Sequence, residues 1–150
     1  MSDSAIQTFR DGMQAYPDND YVSKMALDIG NCYFDRGDYN LAYHAFDNFV
    51  KQYPNSELVV EGMIGMSDAL YHDKKYEEAI KSYLALLKTN DEEKIRQYAF
   101  KRIGDCYKFM GKLEQAIKAY LVGLDKEDAA PVAMLHADTS LDETALPKKF

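Results

Sequence analysis

The sequence predicts an all-α protein built from tandem helix–turn–helix repeats. Two observations predict it. Ala42, Ala79 and Ala116 recur at a step of 37 residues, and each is followed four residues later by an aromatic ring, Phe46, Tyr83 and Tyr120. Within each period the apolar residues are spaced by three and four, which places them on one face of a helix. No segment alternates with period two for long, so a sheet is excluded.

The elements follow in order. Stepping back one period from Ala42, Phe46 and Tyr53-Pro54 gives Ala5, Phe9 and Tyr16-Pro17, so a helix is expected over 4–15. Met25, Ala26, Ile29, Gly30 and Tyr33 form the apolar stripe of a helix over 20–36. Gly37 stands just past it, where a left-handed cap is favoured. Tyr39, Ala42, Ala45, Phe46 and Phe49 form the stripe of a partner helix over 39–52, which Pro54 terminates. Small residues, Gly30 and Ala42, let these two backbones approach, and Tyr33 and Phe46 fill the space beside them. The next pair is expected over 57–72 and 76–89, with Ser67 in the slot of Gly30 and Lys74 in the slot of Gly37. The last is expected over 92–110 and 113–124, with Gly104 and Gly111 in the same slots. The acids at Asp91, Glu92 and Glu93 suit the start of its first helix through the helix dipole. Cys32, Ala69 and Cys106 share one small-residue slot, which predicts buried thiols and no disulfide.

The run over residues 25–54 resembles the tetratricopeptide repeat, with Gly30, Tyr33, Ala42, Phe46 and Pro54 in its signature positions. The resemblance covers about 1–124 and implies a right-handed α-solenoid of about seven helices. Ala26, Met63 and Phe100 stand where that family usually has Trp. The period of 37 exceeds the usual 34, with the extra residues at 54–60 and 90–97. The Tyr-Pro ending and longer period are similar to the repeats of bacterial cell-envelope assembly and coordinator proteins. The organisation expected is a half repeat at 4–19, full repeats at about 20–56, 57–93 and 94–124, and a capping segment and tail at 125–150. Asp128 to His136 is expected to give a short capping helix. The opening half repeat reads as the interior of a longer array, or as an unpaired cap.

Composition limits the function classes. The chain has 150 residues, 47% hydrophobic and 29% charged, which fits a folded domain and not a disordered one. Its net charge of −7 disfavours general nucleic-acid binding. No apolar run is long enough to span a bilayer, and the first residues lack a signal-peptide pattern. The charge is uneven: residues 1–50 carry 8 acids against 3 bases, whereas residues 91–120 carry 5 against 7. His44, His72 and His136 have no ligand-spaced partner, so no metal or cofactor is expected. Gly65-Met66-Ser67-Asp68-Ala69 half resembles a nucleophile elbow but falls inside a helix, where the required strand-to-helix turn is absent. With no phosphate loop and no catalytic constellation, an enzyme is not expected.

In the tetratricopeptide family the first helix of each pair lines a concave groove where partner segments dock. The register then offers Lys24, Leu27, Asn31, Phe34 and Asp35 in the first full repeat. In the second it offers Glu61, Ile64, Gly65, Asp68, Tyr71 and His72, and in the third Tyr98, Lys101, Arg102, Asp105, Lys108 and Phe109. Aromatics and Arg beside one another favour recognition. The partner-binding residues expected are Asn31, Phe34, Asp68, Tyr71, His72, Tyr98, Lys101, Arg102, Asp105, Lys108 and Phe109. Family members that clamp chaperone C-terminal carboxylates use Lys and Asn with an additional Arg. Asn31 and Arg102 match, but Leu27, Asp68 and Tyr98 do not, and Asp68 would repel a carboxylate. The expected function is a non-catalytic scaffold that holds a segment of another protein in the groove. The alternative is self-assembly, head to tail or by domain swapping, between the acidic N-terminal end and the basic third repeat.

Overall fold

A computed structural model of the protein describes residues 3–17 and 21–124. Among them are seven α-helices: α1 Asp3–Ala15, α2 Val22–Asp35, α3 Tyr39–Gln52, α4 Val59–His72, α5 Tyr76–Thr89, α6 Glu93–Phe109 and α7 Leu113–Leu124. No described residue is in a strand. The expected capping helix at Asp128 to His136 lies outside the described residues. The helices fall into two compact units that divide between Asp73 and Lys74, with α1–α4 in the first and α5–α7 in the second.

Each helix begins and ends for a local reason. The expected start at 57 moves to Val59 because Ser56 organises a turn: its Oγ accepts from the Leu58 N–H at 3.2 Å, and its carbonyl accepts from the Val59 N–H at 3.1 Å. The start of α6 moves from 92 to 93 because the Asn90 side chain accepts from the Glu92 N–H at 2.9 Å. Gly37 closes α2 at φ 81°. Its N–H reaches the Phe34 carbonyl and the Asp38 N–H reaches the Tyr33 carbonyl, both at 2.9 Å, so carbonyls at the helix end are satisfied. Gly111 repeats this after α6 at φ 77°. Lys74 takes the same left-handed region at φ 61°, the one non-glycine to do so among the described residues. The turn slot inferred from the 37-residue step is therefore left-handed in all three cases.

The cores obey the same register. In the first unit Leu27, Ala42, Phe46, Phe49 and Ala69 are buried together. The Phe46 ring occupies the space beside two glycines: a Cβ on Gly30 would lie 2.5 Å from it, and one on Gly65 would lie 2.8 Å from it. Glycine there is what lets α2 and α4 approach α3 around one ring. In the second unit Ile80, Tyr83, Leu86, Phe100, Ile103, Tyr107 and Val122 are buried. Tyr120 takes the place of Phe46, 2.3 Å from where a Cβ on Gly104 would be. Burying one such large side chain contributes about 1.5–3 kcal/mol. Ser67 occupies the glycine slot of α4 fully buried, and its hydroxyl donates to the Met63 carbonyl at 3.0 Å.

One expected position is corrected, and two are sharpened. Leu27 is a core residue at 1% exposure and does not line a groove. Gly65 is half-buried, and the space a side chain would take there is filled by Phe46. Tyr39, expected on the apolar stripe of α3, is half-buried at its edge and stacks on His72 with ring centroids 5.3 Å apart. Cys32 and Cys106 are both buried and form no disulfide, as the shared slot requires.

Candidate functional site

The first-type helices α2, α4 and α6 carry the expected partner-binding residues, and the structure gathers them into two sets. In the first unit the end of α4 meets the α2–α3 turn. His72 packs edge-on against Phe34 at 5.2 Å and against Tyr71 at 5.2 Å, and stacks on Tyr39. Phe34 also packs edge-on against Tyr39 at 5.3 Å. The four rings form one cluster, whose edge-to-face geometry suits the aromatic quadrupole. Asn31, half-buried on the same face of α2, donates weakly to Asp28 at 3.4 Å. Asp68 is half-buried one turn before the cluster.

The second set lies on α6. Residues 101, 102, 105, 108 and 109 fall on one helical face by spacing. Asp105 is nearly buried and accepts from the Tyr120 hydroxyl at 2.7 Å, which fixes the carboxylate against α7. Three cations surround it: Lys101 at 3.7 Å, Arg102 at 3.9 Å and Lys108 at 3.8 Å. One carboxylate thus draws three cations together on this face. Lys101 and Lys108 remain mostly exposed and open to a ligand. Aromatic rings bracket the cluster. The Arg102 Nε donates to the Tyr98 hydroxyl at 3.2 Å, and its guanidinium lies 5.2 Å from that ring. Lys108 Nζ lies 5.3 Å from the ring of Phe109, which is exposed and stacks on Tyr76 at 5.4 Å. Cys106 lies behind this face. Burial, and then the charge of Asp105, push its thiol up to about 12, so it stays protonated near neutral pH. Burial, followed by the charge of Asp28, also raises Cys32.

Tyr39 and Tyr76 are the contact residues that sequence reading missed. A signal for them existed: Tyr39 with His72, and Tyr76 with Phe109, are the same two slots one period apart. Sequence reading also missed a cavity of about 540 Å³ in the first unit. It is lined by α1 (Arg10, Met13), α2 (Ile29, Tyr33) and α3 (His44, Phe49), and by none of the expected partner-binding residues. Across its mouth Arg10 donates to the Tyr33 hydroxyl at 3.1 Å. Beside it Arg36 pairs with Asp3 and with Asp38, tying the start of α1 to the end of α2.

Among the described residues no cluster of His, Cys, Asp and Glu could hold a metal ion, and no helix is long and apolar enough to cross a membrane. The model of the tetratricopeptide repeat-like domain matches residues 2–140. Among curated proteins none matches the sequence significantly.

Proposed function

The chain belongs to the tetratricopeptide repeat-like family, whose repeats generally mediate protein–protein interactions, and from that premise we propose that it is a non-catalytic scaffold that grips an acidic segment of a partner protein on α6. The observation that carries this reading is the gathering of Lys101, Arg102 and Lys108 around Asp105, with both lysines exposed and with Tyr98 and Phe109 at the flanks, in a chain of net charge −7. Asp105 positions the cations. A carboxylate-bearing segment pairs with the exposed Lys101 and Lys108, and its apolar side chains rest on the two rings. Arg102 is already aimed by Tyr98, so it loses less rotamer freedom on binding than an unrestrained side chain would. The aromatic cluster of the first unit, with Phe34, Tyr71 and His72, offers a second and separate contact surface without that charge.

Selection of random peptides displayed on phage tests the proposal. Enrichment of acidic sequences that lose binding to the Arg102→Ala protein, while still binding the Lys88→Ala protein, is expected. Enrichment of sequences with no acidic bias, or binding indifferent to Arg102, contradicts it.

A further inference from the structure

Two periods separate α1, α2 and α3 from α5, α6 and α7, so the cavity of the first unit has a counterpart in the second, slot for slot. In the second unit large apolar side chains close that space. Leu84 and Leu87 on α5, Phe100 and Ile103 on α6, and Val122 on α7 are all buried. Phe100 reaches α7, where a Cβ on Gly123 would lie 2.9 Å from its own Cβ. In the first unit the same five slots hold Arg10, Met13, Ala26, Ile29 and Asn48, and all five line the cavity of about 540 Å³.

Two exchanges open it. Ala26 stands for Phe100, which removes a whole ring. Arg10 stands for Leu84, which replaces a buried apolar side chain by an exposed cation. The larger residue at Phe49, which stands for Gly123, does not close the gap. Its ring lies against α4, 2.5 Å from where a Cβ on Gly62 would be. The hollow therefore comes from particular residues and is not a general consequence of how these helices pack.

The chemistry of the lining selects a ligand. Met13, Ala26, Ile29, Ala45 and Phe49 make much of the wall apolar, and Gln14, His44, Asn48 and Gln52 add hydrogen-bonding groups. Arg10 is the one lining residue with a permanent charge, and no carboxylate lines the cavity. That is notable where residues 1–50 carry 8 acids against 3 bases. The Tyr33 hydroxyl holds the guanidinium across the mouth at 3.1 Å. This bond uses one of its five N–H donors and leaves others for a ligand. A guanidinium fork matches a carboxylate in shape as well as charge. The volume falls in the range of small-molecule sites, about 300–1,000 Å³.

We propose that this cavity binds a small amphipathic carboxylate, its apolar body against Met13, Ile29 and Phe49 and its carboxylate on Arg10. The site lies within the first unit and shares no residue with the cations of α6, so it does not depend on partner binding there. An occupant touches α1, α2 and α3 at once. Because it binds the folded unit, it stabilises the seating of α1 on the other two helices.

Octanoate is the probe, and octanol, of the same chain length without the carboxylate, is its control. Amide chemical shifts of the full chain during titration give location and affinity together. Saturable shifts are expected at Met13, Ile29 and Ala45, with octanol bound at least about tenfold more weakly than octanoate. Arg10→Gln is expected to weaken octanoate at least about tenfold and to leave octanol unchanged. Ala26→Phe puts back the ring of the second unit and is expected to weaken both probes together. Ala26→Leu carries the same expectation if the ring disturbs the helices. Four results would overturn the proposal: no saturable shift at those residues up to millimolar probe, equal affinity for octanoate and octanol, indifference to both Ala26 variants, or shifts confined to the exposed Leu113, Ile117 and Leu121 of α7.

Discussion

Helices α2 and α6 occupy the same place in their repeats, two periods apart, and differ in what they expose. Their buried slots agree: Gly30 and Gly104 each lie against a ring, Cys32 and Cys106 are both buried, and Gly37 and Gly111 both close the helix in the left-handed region. Other slots disagree, and one of them is buried in α2 and exposed in α6. Leu27, Asp28 and Phe34 on α2 become Lys101, Arg102 and Lys108 on α6. Each change replaces an apolar or acidic group by a cation. The close approach of helices fixes one set of slots, because a methyl group more or less there costs free energy. The other set is open to change without unfolding the repeat, and on α6 it gathers three cations.

The comparison can be broken from its buried side first. Phe46→Ala empties the space between Gly30 and Gly65 and is expected to cost about 3–5 kcal/mol in chemical denaturation. A loss below about 1 kcal/mol would mean that the ring is not the wedge holding the first unit together. Gly104→Ala drives a methyl group toward the Tyr120 ring, which its hydrogen bond to Asp105 holds in place. It is expected to cost about 1–3 kcal/mol, and an unchanged melting temperature would place Tyr120 elsewhere. Tyr120→Phe keeps the ring and removes the donor to Asp105, for an expected loss of about 0.5–1.5 kcal/mol. Lys74→Gly sharpens the comparison most gently. Relief of the left-handed strain stabilises by on the order of 1 kcal/mol, offset in part by the freer unfolded chain. A neutral or slightly raised melting temperature is expected, and clear destabilisation would remove Lys74 from the turn slot.

Much of this was legible in the sequence, for a reason the comparison makes plain. The helix pairs, the turn slots at Gly37, Lys74 and Gly111, and the burial of both cysteines all depend on residues that repeat. Periodicity reports such residues directly. Leu27 was misplaced because its slot is open in α6, where Lys101 stands, but closed in α2, and a period alone carries no information on that difference. The stacks of Tyr39 on His72 and of Tyr76 on Phe109 were missed because Tyr39 sits at the edge of an apolar stripe. An aromatic there can turn inward to the core or sideways to the next helix. The gathering of Lys101, Arg102 and Lys108 around one carboxylate needed coordinates. Spacing puts the four on one face, whereas the Tyr120 bond that holds Asp105 comes from a different helix, 15 residues away.

The central claim is that the cations of α6 hold acidic partner sequence. Calorimetric titration of an acidic, aromatic-containing peptide into the full chain, at low and high salt, tests it most directly. The account predicts binding that weakens as salt screens the charges and falls at least tenfold in a Lys101→Ala/Lys108→Ala protein that retains its helicity. Equal affinity in that variant and in the unaltered chain, or affinity that ignores salt, would contradict it.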